Sequence, residues 1–153
     1  MDGYIWGKCI RKNIYIKTLK KLGKSIYQQY INYGEDRIVN FVLFKIANSF
    51  KFIEEYGIIY IYNPLSIFHS YQKELIAHDE LVNLMNILNY TKNSSDLNIV
   101  AYELQYRWNR IFKPGLNIEN KKIITFLINL LLESKYTNSY YKYILKSLFL
   151  EIT

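Results

Sequence analysis

The stretch Glu35–Ile53, EDRIVNFVLFKIANSFKFI, combines a helix-start signal with a long apolar segment, and the fold is predicted outward from it. A carboxylate in the first turn of a helix meets unpaired backbone N–H groups and the positive end of the helix dipole. Apolar residues then cover nearly all sides of a helix from Ile38 to Ile53, which predicts burial over most of its surface. Adjacent carboxylates point about 100° apart on a helix. One of Glu35 and Asp36 can therefore cap the helix while the other projects into a cleft as a candidate base.

Short strands are predicted on both sides of this helix, within the first 65 residues. Residues 4–16 alternate loosely and are rich in Ile, Tyr and Trp, which favours a strand or a strand pair. A short helix over 18–22 follows and stops at Gly23. After the long helix, Gly57 supplies another stop, residues 58–62 favour a strand, and Asn63-Pro64 turns the chain. Up to this point the pattern is α/β.

The second half of the sequence predicts helices. Two sets of apolar residues keep helical spacing: Leu81, Leu84, Met85 and Leu88, and then Leu97, Val100, Ala101, Leu104, Trp108 and Ile111. Lys113-Pro114-Gly115 ends the second of these helices, Asn117 begins a third, and helical signals continue to about Leu150. We expect a mostly α-helical chain with a small mixed part over residues 1–70 and a helical extension over 71–153 packed on it.

Composition limits the class of protein but does not choose a partner. The 153 residues are 50% hydrophobic and 17% aromatic, which suffices for a core. A net charge of +7 favours nucleotides, nucleic acid or an anionic membrane surface. The lone Cys9 excludes an intrachain disulfide and suits a reducing compartment, and the longest apolar run, Ile123–Leu132, is too short to span a bilayer. We expect a cytoplasmic protein, either free or held peripherally at a membrane.

Five ordered blocks resemble the acceptor-side, C-terminal half of a family 2 glycosyltransferase. They are Trp6–Lys12, Leu22-Gly23, Glu35–Phe41, Ala47–Ile53, and Gly57–Tyr62 with Ser66. The resemblance implies an α/β fold of the GT-A type, with Asp36 as catalytic base and Glu35 as a neighbour that caps the helix or contacts the acceptor. It also implies that Trp6 forms an apolar wall for a sugar face, while Lys8 neutralises phosphate. The structural alternative for Trp6 is a core position in the first strand, and that for Lys8 is a position on the solvent face of a strand.

The sequence lacks the motif that marks the donor-binding half of such enzymes. Such enzymes hold a divalent metal, Mn²⁺ or Mg²⁺, against the donor diphosphate with an Asp-x-Asp motif, whereas Asp2, Asp36, Asp79 and Asp96 lie far apart in this chain. The resemblance therefore implies a fragment that is inactive alone and holds no metal. In the complete enzyme, the partners would be a nucleotide sugar and a glycan, lipid or protein acceptor. His69 is either an additional metal ligand or an ordinary surface or core residue.

A second hypothesis is a non-catalytic basic helical module that binds nucleic acid or a protein partner. It rests on the net charge and on two residue clusters, each of which is also typical of a solvated or packed helix face. The first cluster is Lys17, Lys20, Lys21 and Lys24. The second is Tyr136, Tyr140, Tyr141 and Tyr143 with Lys135, Lys142 and Lys146. His78 is predicted to lie at the start of a helix, in its capping region.

Overall fold

The computed structural model describes residues 8–23, 34–51, 72–91 and 94–152. Regular structure within these residues is entirely helical, which confirms the prediction of a mostly helical chain. The elements are α1 Lys12–Leu22, α2 Asp36–Ile46, α3 Lys73–Thr91, α4 Leu97–Arg107, α5 Ile118–Glu133 and α6 Ser139–Ile152, with a π-helical turn Trp108–Phe112 directly after α4. The chain divides into two compact units, Met1–Ser70 and Tyr71–Thr153.

The strand predicted for residues 4–16 is wrong over residues 8–16, while residues 4–7 lie outside the described residues. Residues 8–11 have no regular structure and residues 12–16 are helical. The loose alternation concealed a helical spacing in which Ile14, Thr18 and Leu22 recur every four residues on the face that packs against α2. Gly23 ends the helix at φ 65°, in the left-handed region that glycine enters without steric cost. The predicted strand at 58–62 and its flanking turns lie outside the described residues.

Helix α2 begins where the sequence predicts but ends earlier than the apolar segment suggests. Ala47 is extended, with ψ 128°, and its N–H donates the last helical hydrogen bond to the Leu43 carbonyl at 2.9 Å. Beyond that point Phe50 returns to make an edge-to-face contact with Phe44 at 5.8 Å, yet it stays 82% exposed. Asn48 and Ser49 favour this exit because their short polar side chains compete for backbone hydrogen bonds. The expectation of a helix buried on nearly all sides as far as Ile53 is therefore wrong.

The second unit packs its helices around one apolar core. Helix α5 contacts α3 and α6, and α4 contacts α3 and α6. Most of the core residues predicted from helical spacing are buried, namely Leu81, Leu84, Leu88, Leu97, Val100, Ala101, Leu104 and Trp108. Met85 and Ile111 are only half-buried. Helix α5 starts as predicted, because the Asn117 side chain accepts a hydrogen bond from the Asn120 N–H at 2.8 Å.

Two ties show that α4 and α6 run side by side in the same direction. At their starts, the Asn98 side chain donates to the Tyr136 carbonyl at 3.1 Å and accepts from the Asn138 N–H at 3.0 Å. At their ends, the Trp108 indole donates to Glu151 Oε2 at 2.8 Å, and Lys113 reaches the same oxygen at 3.3 Å. The register between these helices is therefore fixed at both ends.

Asn120 joins α5 to α3 and to the loop that precedes α5. This fully buried side chain donates through Nδ2 to the carbonyls of Glu74 at 2.9 Å and Gly115 at 2.8 Å. Glycine is required at position 115 because an added Cβ would lie 2.6 Å from Ala77 Cβ and closer still to the Lys73 carbonyl oxygen. The loop thus passes against the first turns of α3 without space for a side chain.

Candidate active site

The start of α2 places the two predicted catalytic carboxylates. Gly34 adopts φ 75° and its carbonyl accepts a hydrogen bond from the Arg37 N–H at 3.0 Å, which forms the turn that opens the helix. Glu35 follows at the N-cap position, and Asp36 is the first helical residue. Asp36 is half-buried while Glu35 is exposed. The two carboxylates therefore occupy different environments at one helix terminus.

Glu35 does not cap the helix with its side chain, so that part of the prediction is wrong. Its backbone is already helical, with φ −55° and ψ −28°, and no capping hydrogen bond is made. A capping side chain is normally shorter and is carried by an extended backbone, so that its oxygen can turn back to the N–H groups of the first turn. Contact with an acceptor remains a prediction for Glu35.

The other predicted site residues fall at the edges of the described structure. Lys8 lies in the irregular segment before α1 and is half-buried. Trp6 and His69 lie outside the described residues. Cys9, next to Lys8, is exposed and forms no disulfide. The structure thus locates Asp36, Glu35 and Lys8 and supplies no geometry for Trp6.

Asn40 lies one turn into α2 and is a buried polar residue that was not predicted from the sequence as part of a site. It lies four residues after Asp36, so both project from the same side of the helix, and the Asn40 side chain leans back toward the first turn. Its side chain is fully buried, and among the described residues neither Nδ2 nor Oδ1 has a hydrogen-bond partner. Such a group costs about 1–3 kcal/mol. The polar residue within an otherwise apolar run was the available signal.

A divalent metal does not fit the described residues. In the ranges that the structure covers, no three His, Cys, Asp or Glu side chains are grouped so that they could hold a metal ion. Oxygen-rich sets of that kind are what Mn²⁺ and Mg²⁺ need. No chemical step of this part of the chain is therefore assigned to a metal.

The second unit carries a buried ion network that was not predicted. Arg107 Nε donates to Glu103 Oε2 at 2.6 Å, and Arg107 Nη1 lies 3.3 Å from Oε1 of the fully buried Glu80. The network holds α4 against α3, since Arg107 lies on α4 and Glu80 on α3. The buried carboxylate of Glu80 is tolerated because the Arg107 cation faces it. The four-residue spacing of Glu103 and Arg107 was readable, whereas the partner on α3 was not.

His78 lies within helix α3, not in its capping region. The helix begins at Lys73, so His78 is its sixth residue. Its Nδ1 lies 3.3 Å from Oδ1 of Asn120. Both donor bonds of the Asn120 amide go to backbone carbonyls, which orients Oδ1 toward the histidine. The Nδ1 atom must then carry the proton of this hydrogen bond, because an amide oxygen only accepts.

The tyrosines of the second unit contact one another and nearby cations. Tyr140 and Tyr141 meet edge to face, with 69° between their rings, and Lys135 lies 5.2 Å from the centre of the Tyr136 ring. Tyr102 and Tyr106 on α4 stack on each other at 5.7 Å. Tyr140 and Tyr143 are 62% and 77% exposed. Nucleic-acid binding by the Tyr136–Tyr143 cluster stays a prediction.

Comparisons with known proteins give no relative for this chain. No protein-family model matches it, and neither a curated protein nor a solved structure is similar to it. Within the described residues, no helix combines the length and apolar character needed to cross a membrane.

Proposed function

We propose that this chain is the acceptor-side portion of a nucleotide-sugar-dependent glycosyltransferase, one that transfers a sugar with inversion to an acceptor hydroxyl. The observation that carries the proposal is the position of Asp36, the first residue of α2, directly after the left-handed turn at Gly34. The order of the five sequence blocks that resemble family 2 glycosyltransferases supports it. Helix α1, which follows the first block, packs against α2, which carries the third.

In the proposed reaction, Asp36 accepts the proton of the acceptor hydroxyl. The oxygen then forms a bond to the anomeric carbon while the bond from that carbon to the diphosphate oxygen breaks, and the nucleoside diphosphate leaves with the electron pair. A carboxylate in a first helical turn is stabilised by the backbone N–H groups and by the helix dipole. We expect this portion to contribute the acceptor side only and to be inactive alone, because its sequence has no Asp-x-Asp motif to hold the donor diphosphate through a metal.

Acceptor binding tests the proposal with the chain as it exists. A panel of immobilised glycans is probed with the labelled chain and with Asp36→Asn. We expect a subset of glycans to bind, with about tenfold weaker affinity for the variant, because a carboxylate accepts a hydroxyl hydrogen bond more strongly than an amide does. The matched control is Glu119→Gln, which removes an exposed first-turn carboxylate from α5. Equal losses in both variants would overturn the role of Asp36, and binding to none of the glycans would overturn a glycan as the acceptor.

A donor titration tests the second half of the proposal separately. Calorimetry of the chain with uridine-diphosphate sugars and Mn²⁺ is expected to show no binding, because the residues that would hold the diphosphate and the metal belong to the other half of such an enzyme. Metal-dependent binding would mean that a donor site is present without an Asp-x-Asp motif, and the fragment assignment would be wrong.

A further inference from the structure

Helix α1 presents a surface of one charge sign. Residues 8–23 contain six Lys or Arg residues and no Asp or Glu. Five of the cations are exposed at or within the helix: Arg11, Lys12, Lys17, Lys20 and Lys21. Surface helices usually mix both signs, since opposite charges three or four residues apart stabilise a helix. The helix therefore has no acidic side chain of its own to offset the repulsion among these cations.

The exposed side of α1 has an aliphatic residue at its centre. Lys12, Ile16 and Lys20 are spaced four residues apart and form one row, and Asn13 and Lys17 form the neighbouring row. Ile16 is 39% exposed between the two lysines of its row. The opposite side carries the buried Thr18 and Leu22, which leaves the basic row facing solvent. We call Lys12, Ile16, Lys17 and Lys20 the basic face.

We propose that the basic face of α1 docks on an anionic phospholipid membrane. Cations on an amphipathic helix gain free energy next to anionic headgroups, and an apolar side chain among them inserts at the boundary between headgroups and acyl chains. Lysine suits this geometry because its methylene stem lies along the apolar layer while its ammonium group stays with the headgroups. Docking by this face does not depend on the proposed transferase activity.

The chemistry of the basic face favours lipid over single-stranded nucleic acid. Both ligands attract cations, but single strands are held by stacking of bases on exposed aromatic rings. The residue among the lysines is Ile16, which gives hydrocarbon and no ring. One helix of this kind gives weak and reversible binding that falls as salt rises, because exposed charges are screened beyond about 8–10 Å at physiological ionic strength.

Vesicle cosedimentation of the full chain tests this docking. The chain is mixed with phosphatidylcholine vesicles and with equimolar phosphatidylcholine and phosphatidylserine vesicles. We expect binding to the anionic vesicles only, and a loss of about 25-fold for Lys17→Gln with Lys20→Gln, at about fivefold per lysine. The control pair is Lys121→Gln with Lys122→Gln, two exposed lysines of α5. This pair removes the same charge from the chain and should change binding by less than about twofold.

Further variants separate lipid docking from general attraction to polyanions. Ile16→Ser should weaken binding to anionic vesicles about tenfold, because it removes the inserted side chain, and should leave binding to a single-stranded oligonucleotide unchanged. Circular dichroism checks that each variant keeps its helices, which glutamine and serine at exposed positions allow. Equal losses in both lysine pairs, equal binding to neutral vesicles, or loss of oligonucleotide binding alone would overturn the proposal.

Discussion

Asn40 and Asn120 are both fully buried, but they differ in how their side-chain amides are hydrogen-bonded. The Asn120 side chain donates to two backbone carbonyls and faces His78, while the Asn40 side chain has no partner among the described residues. A buried amide that makes its hydrogen bonds stabilises a fold by about 1 kcal/mol per bond, and one that does not is a net cost. The same residue type thus contributes with opposite sign in the two units.

Replacement of each asparagine by leucine should therefore move stability in opposite directions. We expect Asn40→Leu to raise the free energy of unfolding by about 1 kcal/mol, because an apolar side chain with the same branching removes an unmatched polar group. Asn120→Leu should lower it by about 2–4 kcal/mol, because two buried carbonyls lose their donor. Urea denaturation followed by circular dichroism measures both changes. A loss at Asn40 as large as that at Asn120 would show that the Asn40 amide is paired.

Neither side-chain environment could be read from the sequence, although the helix start next to Asn120 could. The sequence Asn117-Ile118-Glu119 after Pro114-Gly115 predicts a capped helix start, and the capping bond from the Asn120 N–H to Asn117 bears it out. The contacts of the Asn120 side chain with residues about 40 positions earlier depend on how α3 and α5 pack. No local rule supplies such a distant partner. The lack of one at Asn40 is equally a property of the packed unit.

Helices were predicted well where apolar residues repeat at intervals of three or four, and poorly where other signals overlapped. In α3 and α4 the spacing of the buried leucines gave the helices directly. In α1 the alternating isoleucines at 14 and 16 are typical of a strand. The segment is helical because its apolar face packs against α2. In α2 the apolar run continues past Ala47, so its end could not be read from hydrophobicity alone.

The tie between the ends of α4 and α6 should weaken in acid. Hydrogen bonds from the Trp108 indole and from Lys113 hold the pKa of Glu151 below its ordinary value of 4.5. A lowered folded-state pKa means that the carboxylate stabilises the fold above its unfolded pKa and loses that contribution as pH falls through the folded value. The melting temperature should therefore respond to pH below about 4.5 through this residue.

The variant Glu151→Gln isolates this charge because glutamine keeps an acceptor for the indole. Its melting temperature should lie below that of the parent chain at neutral pH, and the gap should close as pH falls below the ordinary glutamate pKa of 4.5. Glu133→Gln, an exposed carboxylate near the end of α5, is the control and should follow the parent chain at every pH. A gap that stays constant with pH would show that the carboxylate charge does not stabilise the tie.

At the scale of the whole molecule, the second unit has what an independently folding domain needs. Each of its helices contacts at least two other elements of the same unit, and many of its apolar side chains are fully buried. We expect a chain of residues 71–153 to fold alone, with a helical circular dichroism spectrum and one cooperative melting transition. A broad transition together with binding of a hydrophobic dye would contradict this expectation.

Charge is distributed unevenly between the two units. Residues 1–70 hold ten Lys or Arg and five Asp or Glu, while residues 71–153 hold ten and eight. Composition gave the total charge but not its location on the exposed side of α1, which required the helix and its packing against α2. An anionic surface should therefore attract residues 1–70 more strongly than residues 71–153.

The π-helical turn at Trp108–Phe112 has a consequence for how the length of this chain can change during evolution. Its closing bond, from the Lys113 N–H to the Trp108 carbonyl at 2.8 Å, spans five residues where an α-helix spans four. Loss of one codon at the exposed Asn109 or Arg110 would restore an ordinary helix. It would also rotate the end of this turn and the loop after it by about 100° relative to α4, which would carry Lys113 away from Glu151 and Gly115 away from α3. Single-residue deletions should therefore be rare in this turn, although a plain helix would accept them locally.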